Sequence, residues 1–83
     1  MTVRVQLFAA CRDLLGTAAL ALALEPGATV ADLEERLTAR EPRLARFVAG
    51  LRYARNDRFV GRGEVLADGD EVAVIPPVSG GSR

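Results

Sequence analysis

The chain has 83 residues, 49% hydrophobic and 27% charged, and its 11 basic and 11 acidic residues cancel to a formal net charge of zero. That length supports one domain around one compact core, and the composition is that of a soluble globular protein. The basic residues are all arginine and are dispersed, there is no histidine, and Cys11 is the only cysteine, which argues against a nucleic-acid footprint, histidine acid–base chemistry, an internal disulfide and a cysteine-rich metal site.

No hydrophobic run is long enough to span a bilayer. The start, Met1-Thr2-Val3-Arg4, lacks the basic-then-apolar layout of a signal peptide, so a cytoplasmic protein with no membrane partner is expected. Residues 2–8 alternate with period two. Val3, Val5 and Leu7 point to one face, and Thr2, Arg4, Gln6 and Phe8 to the other, as in a strand with one buried face. Phe8 therefore falls on the polar side. Ala9 to Leu15 reads as a short helix stopped by Gly16, with Cys11 as a small buried hydrophobe inside it. Residues 18–24 alternate leucine with alanine. Propensity alone allows a helix there, but strict alternation argues for a strand that forms a hairpin with the first.

Pro26-Gly27 ends that strand. Thr29 is a candidate N-cap, with Asp32 at the third helical position. Val30, Leu33 and Leu37 form one apolar stripe, and Pro42 stops the helix. Leu44, Phe47 and Val48 suggest a second short helical or looped piece ending at Gly50. Residues 51–56 read as a third strand, Asn56-Asp57 as a turn, Phe59-Val60 as a short extended piece, and Gly61-Arg62-Gly63 as another turn. Asp68-Gly69-Asp70 turns the chain into a last strand, Glu71 to Ile75. A hairpin, a crossover helix and further strands imply an α+β sheet packed on one main helix, with the first and last strands adjacent and parallel. That arrangement leaves Phe8 and Ile75 on the outer face, with Phe59 able to join them. They are either a contiguous interaction patch or scattered surface hydrophobes.

The domain is expected to end at residue 75, followed by a flexible tail over residues 76–83. Pro76 and Pro77 stop the strand because they cannot donate to a ladder. Val78-Ser79-Gly80-Gly81 then thins to two residues without a Cβ. Six residues, Pro76 to Gly81, extend to roughly 17–20 Å, enough to carry a terminal carboxylate into a narrow site. A frayed terminus without function is the alternative.

With Leu7-Phe8-Ala9, Arg12, Pro26-Gly27-Ala28-Thr29-Val30, Asn56, Asp68-Gly69-Asp70-Glu71-Val72 and above all Ile75-Pro76-Pro77-Val78-Ser79-Gly80-Gly81, the whole chain resembles the molybdopterin synthase small-subunit family of ubiquitin-like sulfur carriers. The resemblance implies a β-grasp fold of four to five strands. It implies that Gly81, preceded by Gly80, is the acyl-adenylate and thiocarboxylate acceptor. An adenylating enzyme of the ubiquitin-activating type would use ATP, and no cofactor would be permanently bound. The thiocarboxylate would donate sulfur to cyclic pyranopterin monophosphate inside a large subunit, in a 2:2 heterotetramer. That large subunit would hold the acid and base groups, leaving this chain non-catalytic on its own. Phe8, Phe59, Ile75, Pro76, Pro77, Val78 and Ser79 would meet the partner. One feature departs from the family: Gly81 is followed by Ser82 and Arg83. Either a protease trims them, or they were added for expression, or the chain is inactive as a carrier. A sulfur carrier for thiamine, cysteine or tRNA thiolation, a ubiquitin-like protein modifier and a plain interaction module are the alternatives.

Overall fold

The computed structural model describes residues 1–77. Its elements in chain order are β1 (Thr2–Leu7), α1 (Ala9–Leu15), β2 (Ala19–Ala23), α2 (Val30–Arg40), a 3₁₀ segment (Pro42–Gly50), β3 (Arg52–Arg55), β4 (Arg58–Val60) and β5 (Glu71–Ile75). The strands form one mixed sheet of five in the order β2-β1-β5-β3-β4. β1 and β5 run parallel side by side, with Val5 opposite Val72 and Leu7 opposite Val74. Every other strand pair is antiparallel. The sheet is therefore built as the alternation implied, with β5 at its centre and β1 beside it.

One face of this sheet is the core. Val3, Val5, Leu7, Leu22, Tyr53, Val72 and Val74 are buried there, and Val30, Leu33 and Leu37 of α2 are buried with them. Leu44 of the 3₁₀ segment, Cys11 of α1, and Leu24, Ala28, Leu51 and Leu66 of the connecting segments complete the cluster. The leucine–alanine stretch is a strand, although neither residue is a strong strand former. The reason is burial: its leucines lie on the core side and its alanines outside, which only a period-two backbone achieves. Helix α2 starts where the capping signal lies. Thr29 Oγ1 accepts from the Asp32 amide at 3.4 Å, and Asp32 Oδ2 accepts from the Thr29 amide at 2.8 Å.

Two turns fix the sheet. Asn56 and Asp57 both sit in the left-handed region, at φ 48 and 71. That is the two-residue hairpin geometry whose twist suits adjacent strands, and it joins β3 to β4. The Asp68-Gly69-Asp70 turn closes the other end of the parallel pair. The Thr2 amide donates to Asp68 Oδ1 at 2.7 Å, the Gly69 amide to Thr2 O at 2.8 Å, and the Arg4 amide to Asp70 O at 2.8 Å.

Asp70 is the one buried charged side chain in the described core. Its Oδ2 accepts from Arg55 Nε at 2.6 Å and from the Ala67 amide at 2.8 Å, and its Oδ1 from Asn56 Nδ2 at 3.1 Å. Asn56 in turn accepts from the Glu71 amide at 3.0 Å. Burial pushes the Asp70 carboxyl up, but the Ala67 amide, Arg55 and Asn56 together outweigh it and hold the group below its ordinary value. A carboxyl depressed in the folded state stabilises the fold above its unfolded pKa, near 3.9, and loses that contribution as pH falls through the folded value. Asp70→Asn removes a charge-assisted acceptor and should cost about 1–3 kcal/mol at neutral pH, read by urea unfolding. The gap between wild type and variant should narrow on acidification to about pH 2. A gap of equal size at both pH values would contradict this account of Asp70.

Candidate functional site

Among the described residues, the face of the sheet opposite the core carries no helix. Strand register sets one row across all five strands: Ala19, Gln6, Ala73, Ala54 and Phe59 are successive cross-strand neighbours. Three of the five are alanines, so the middle of this face is flat. Ala21 lies opposite Arg4, and Arg4 opposite Glu71, in the next row. The Arg4–Glu71 pair is loose at 3.7 Å and largely solvated, which makes its energetic contribution small. The alternation in residues 18–24 announced the alanine column on β2; the alignment of Ala73 with Ala54 was not visible without the register.

Larger side chains bound this flat area. Phe59 on β4 is 58% exposed and Phe8 is 44% exposed. Phe8 follows the Leu7–Val74 pair by one step, which brings it level with Ile75 on the open side. Its backbone is extended (φ −122, ψ 151) and its carbonyl accepts from the Cys11 and Arg12 amides as α1 begins. The next residue, Ala9, has φ 47, a left-handed conformation that costs an alanine roughly 1–2 kcal/mol. That turn takes the chain off the sheet immediately after Phe8. Ile75 is half-buried, beside Arg52 in register. The Arg52 guanidinium stands 4.4 Å from the centre of the Phe59 ring, a cation–π distance. Arg52 thus lies between two of the three apolar residues expected to form a patch.

The tail root departs from the sequence expectation. Pro76 is buried while Pro77 is exposed, so packing continues one residue past the boundary placed at residue 75. Burial withdraws Pro76 from the surface offered to a partner. Val78, Ser79, Gly80 and Gly81, with Ser82 and Arg83, lie outside the described residues.

The chemistry on the described surface is sparse. Cys11 is buried, and burial pushes its thiol up, the opposite of what a reactive thiolate needs. Among the described residues no group of three metal-ligating side chains comes together, and no helix is long and apolar enough to cross a membrane. Tyr53 donates its hydroxyl to Glu34, which also receives Arg62 Nε at 2.9 Å. Burial, then the Glu34 carboxylate, push the phenol well up. This cluster ties β3 to α2 under the sheet and does not reach the open face. Val65 is a further exposed hydrophobe, at 56%, that sequence reasoning did not single out. It bridges to Thr29 at the start of α2, on the helical layer and apart from the Phe8–Phe59 face.

A flat face with an alanine floor and exposed phenylalanines at its borders ends where β5 is followed in sequence by Pro-Pro-Val-Ser-Gly-Gly. Residues 5–81 match the ThiS family. The chain belongs to the ThiS family. Two curated relatives, both molybdopterin synthase sulfur carrier subunits, align along nearly the whole chain. The Chlamydomonas reinhardtii protein is 37% identical over 98% of this chain and 100% of its own length. The Escherichia coli protein is 40% identical over 95% of this chain and 99% of its own. Among solved structures, SAMP1 from Haloferax volcanii superposes with a TM-score of 0.85 at 30% identity, covering 96% of this chain and 99% of that one. The five-stranded mixed sheet is thus the ubiquitin-like β-grasp of this ThiS family.

Proposed function

We propose that this ThiS-family chain is the sulfur carrier subunit of a molybdopterin synthase. The observation that carries the reading is the placement of the Pro-Pro-Val-Ser-Gly-Gly segment. It follows the central strand β5 directly, at the end of the sheet where Phe8 and Ile75 share the open face. The identity of 37–40% to sulfur carrier subunits supports it. The carrier works as a docking face plus a deliverable carboxyl. The Gly81 carboxylate attacks the α-phosphate of ATP on an adenylating enzyme, forming the acyl-adenylate and releasing pyrophosphate. A sulfur donor displaces AMP and leaves a thiocarboxylate. The tail then enters the large synthase subunit, in a 2:2 assembly, and donates sulfur to cyclic pyranopterin monophosphate. The acid and base groups belong to that subunit. The open face meets it through Phe8, Phe59 and Ile75, with the alanine floor between them allowing close approach. Ser82 and Arg83 are removed before activation, because an amide at Gly81 has no carboxylate to adenylate. The protein acts in the cytoplasm.

A second reading has one specific observation in its favour: the TM-score of 0.85 to SAMP1. In that reading Gly81 is joined to lysines of target proteins, and the same activation step precedes a different acceptor. A carrier for another thiolation pathway shares every step up to the thiocarboxylate.

A chain ending at Gly81 should release pyrophosphate from ATP with the cognate adenylating enzyme, and the 83-residue chain should not. Gly81→Ala, which adds a methyl beside the reacting carboxyl, should lower that rate without moving the melting temperature. Equal adenylation of the untrimmed chain, with its mass unchanged, would overturn the assignment of Gly81. Phe8→Asp, if Phe8 is an anchor on the large subunit, should weaken that association by at least about 1 kcal/mol. Unaltered affinity with native circular dichroism would remove the open face from the interface.

A further inference from the structure

Gly50 ends the 3₁₀ segment and is exposed. Six glycines are described, and at five of them an added Cβ would meet nothing within 4 Å. Gly50 is different. A Cβ there would lie 2.9 Å from both Cβ and Cγ of Pro77 and 3.4 Å from its Cδ. Gly50 is also not among the glycines in the left-handed region, so backbone freedom does not explain it. Its missing side chain leaves space for Pro77.

The strand register explains the meeting. β3 and β5 are antiparallel with Arg52 opposite Ile75. Two steps further along that register, Gly50 falls opposite Pro77. The ladder has stopped there, since a proline nitrogen carries no hydrogen to donate, but the alignment continues as ring against backbone. Pro76, between Ile75 and Pro77, is buried, which leaves Pro77 little slack on its N-terminal side. The shelf under Pro77 is itself held. The Val48 carbonyl accepts from the Leu51 amide at 3.2 Å and from Arg62 Nη2, and Arg62 reaches Glu34 of α2 at 2.9 Å.

We propose that Gly50 is a positioning residue for the tail. By admitting the Pro77 ring, it sets the point and direction from which the Gly-Gly segment leaves the domain relative to the open face. A side chain at residue 50 cannot be accommodated by a flexible tip moving aside, because the pyrrolidine ring is fixed to the backbone. Pro77 must move, and the root of the tail moves with it. The consequence for activity rests on the carrier reading above: face and tail engage partners together, so a displaced root misaligns the carboxyl even when the face still docks.

Nuclear magnetic resonance of the full 83-residue chain reads the seating directly. Cross-peaks between the Gly50 α-protons and the Pro77 ring protons are expected; their absence overturns the proposal. Gly50→Ala should shift the resonances of residues 78–81, and adding Pro77→Ala should return them toward those of Pro77→Ala alone. In chains ending at Gly81, Gly50→Ala should lower kcat/KM for adenylation by about tenfold, with a melting temperature within about 4 °C of the parent. The double variant should recover to within about twofold of Pro77→Ala. A Gly50→Ala chain as active as its parent, or a loss that persists without the Pro77 ring, overturns the positioning role. If the parent itself is not adenylated, the carrier reading fails, and the cross-peaks and tail shifts alone confirm or overturn the seating.

Discussion

Everything in this molecule that bears on function depends on the parallel pairing of β1 with β5. Parallel neighbours cannot be joined by a tight turn. The chain between them makes α1, β2, α2, the 3₁₀ segment, β3 and β4 before it returns. That long return fills both flanks of the central pair and leaves β5 inside the sheet, hydrogen-bonded on both sides. The tail therefore starts from the central strand of the sheet. The Asp68-Gly69-Asp70 turn secures the same pair at its other end by bonding to Thr2 and Arg4. Because the pair is parallel, β1 and β5 finish at the same end, and Phe8 stands beside the root of the tail.

Much of this was legible in the sequence, because it rests on local periodicity. The period-two runs gave β1, β2 and β5. Thr29 with Asp32 marked the start of α2, and its stripe of Val30, Leu33 and Leu37 is buried in full. Gly16 ends α1 where a helix stop was expected, and does so in the left-handed region at φ 73. The leucine–alanine segment was the hardest of these, since propensity and pattern disagreed, and burial sided with the pattern.

What was not legible arises between residues far apart in the chain. The network of Arg55, Asn56, Glu64 and Asp70 joins the β3–β4 hairpin to the residues just before β5. No spacing rule announces it. The burial of Pro76 was missed because two prolines after a strand read as the start of a tail, whereas the first of them still packs. The position of Arg52 near Phe59 depends on the β3–β4 register, and the half-burial of Ile75 depends on the β3–β5 register. So does the meeting of Gly50 with Pro77. Gly50 reads in sequence as the end of a short helical piece, and only the fold brings a proline ring into the space its side chain would fill.

The described surface presents a flat, alanine-floored open face bordered by exposed Phe8 and Phe59, and its one thiol is buried. Such a chain suits a carrier whose reactive group is its own terminal carboxyl, with partners supplying the catalysis. Mass spectrometry of the protein purified from its own host tests that claim most directly. The carrier account predicts a species that ends at Gly81 and is heavier than the plain carboxylate by about 16 Da, the exchange of one oxygen for sulfur. A population that retains Ser82 and Arg83 unmodified, or that carries Gly81 only in isopeptide linkage to other proteins, would contradict it.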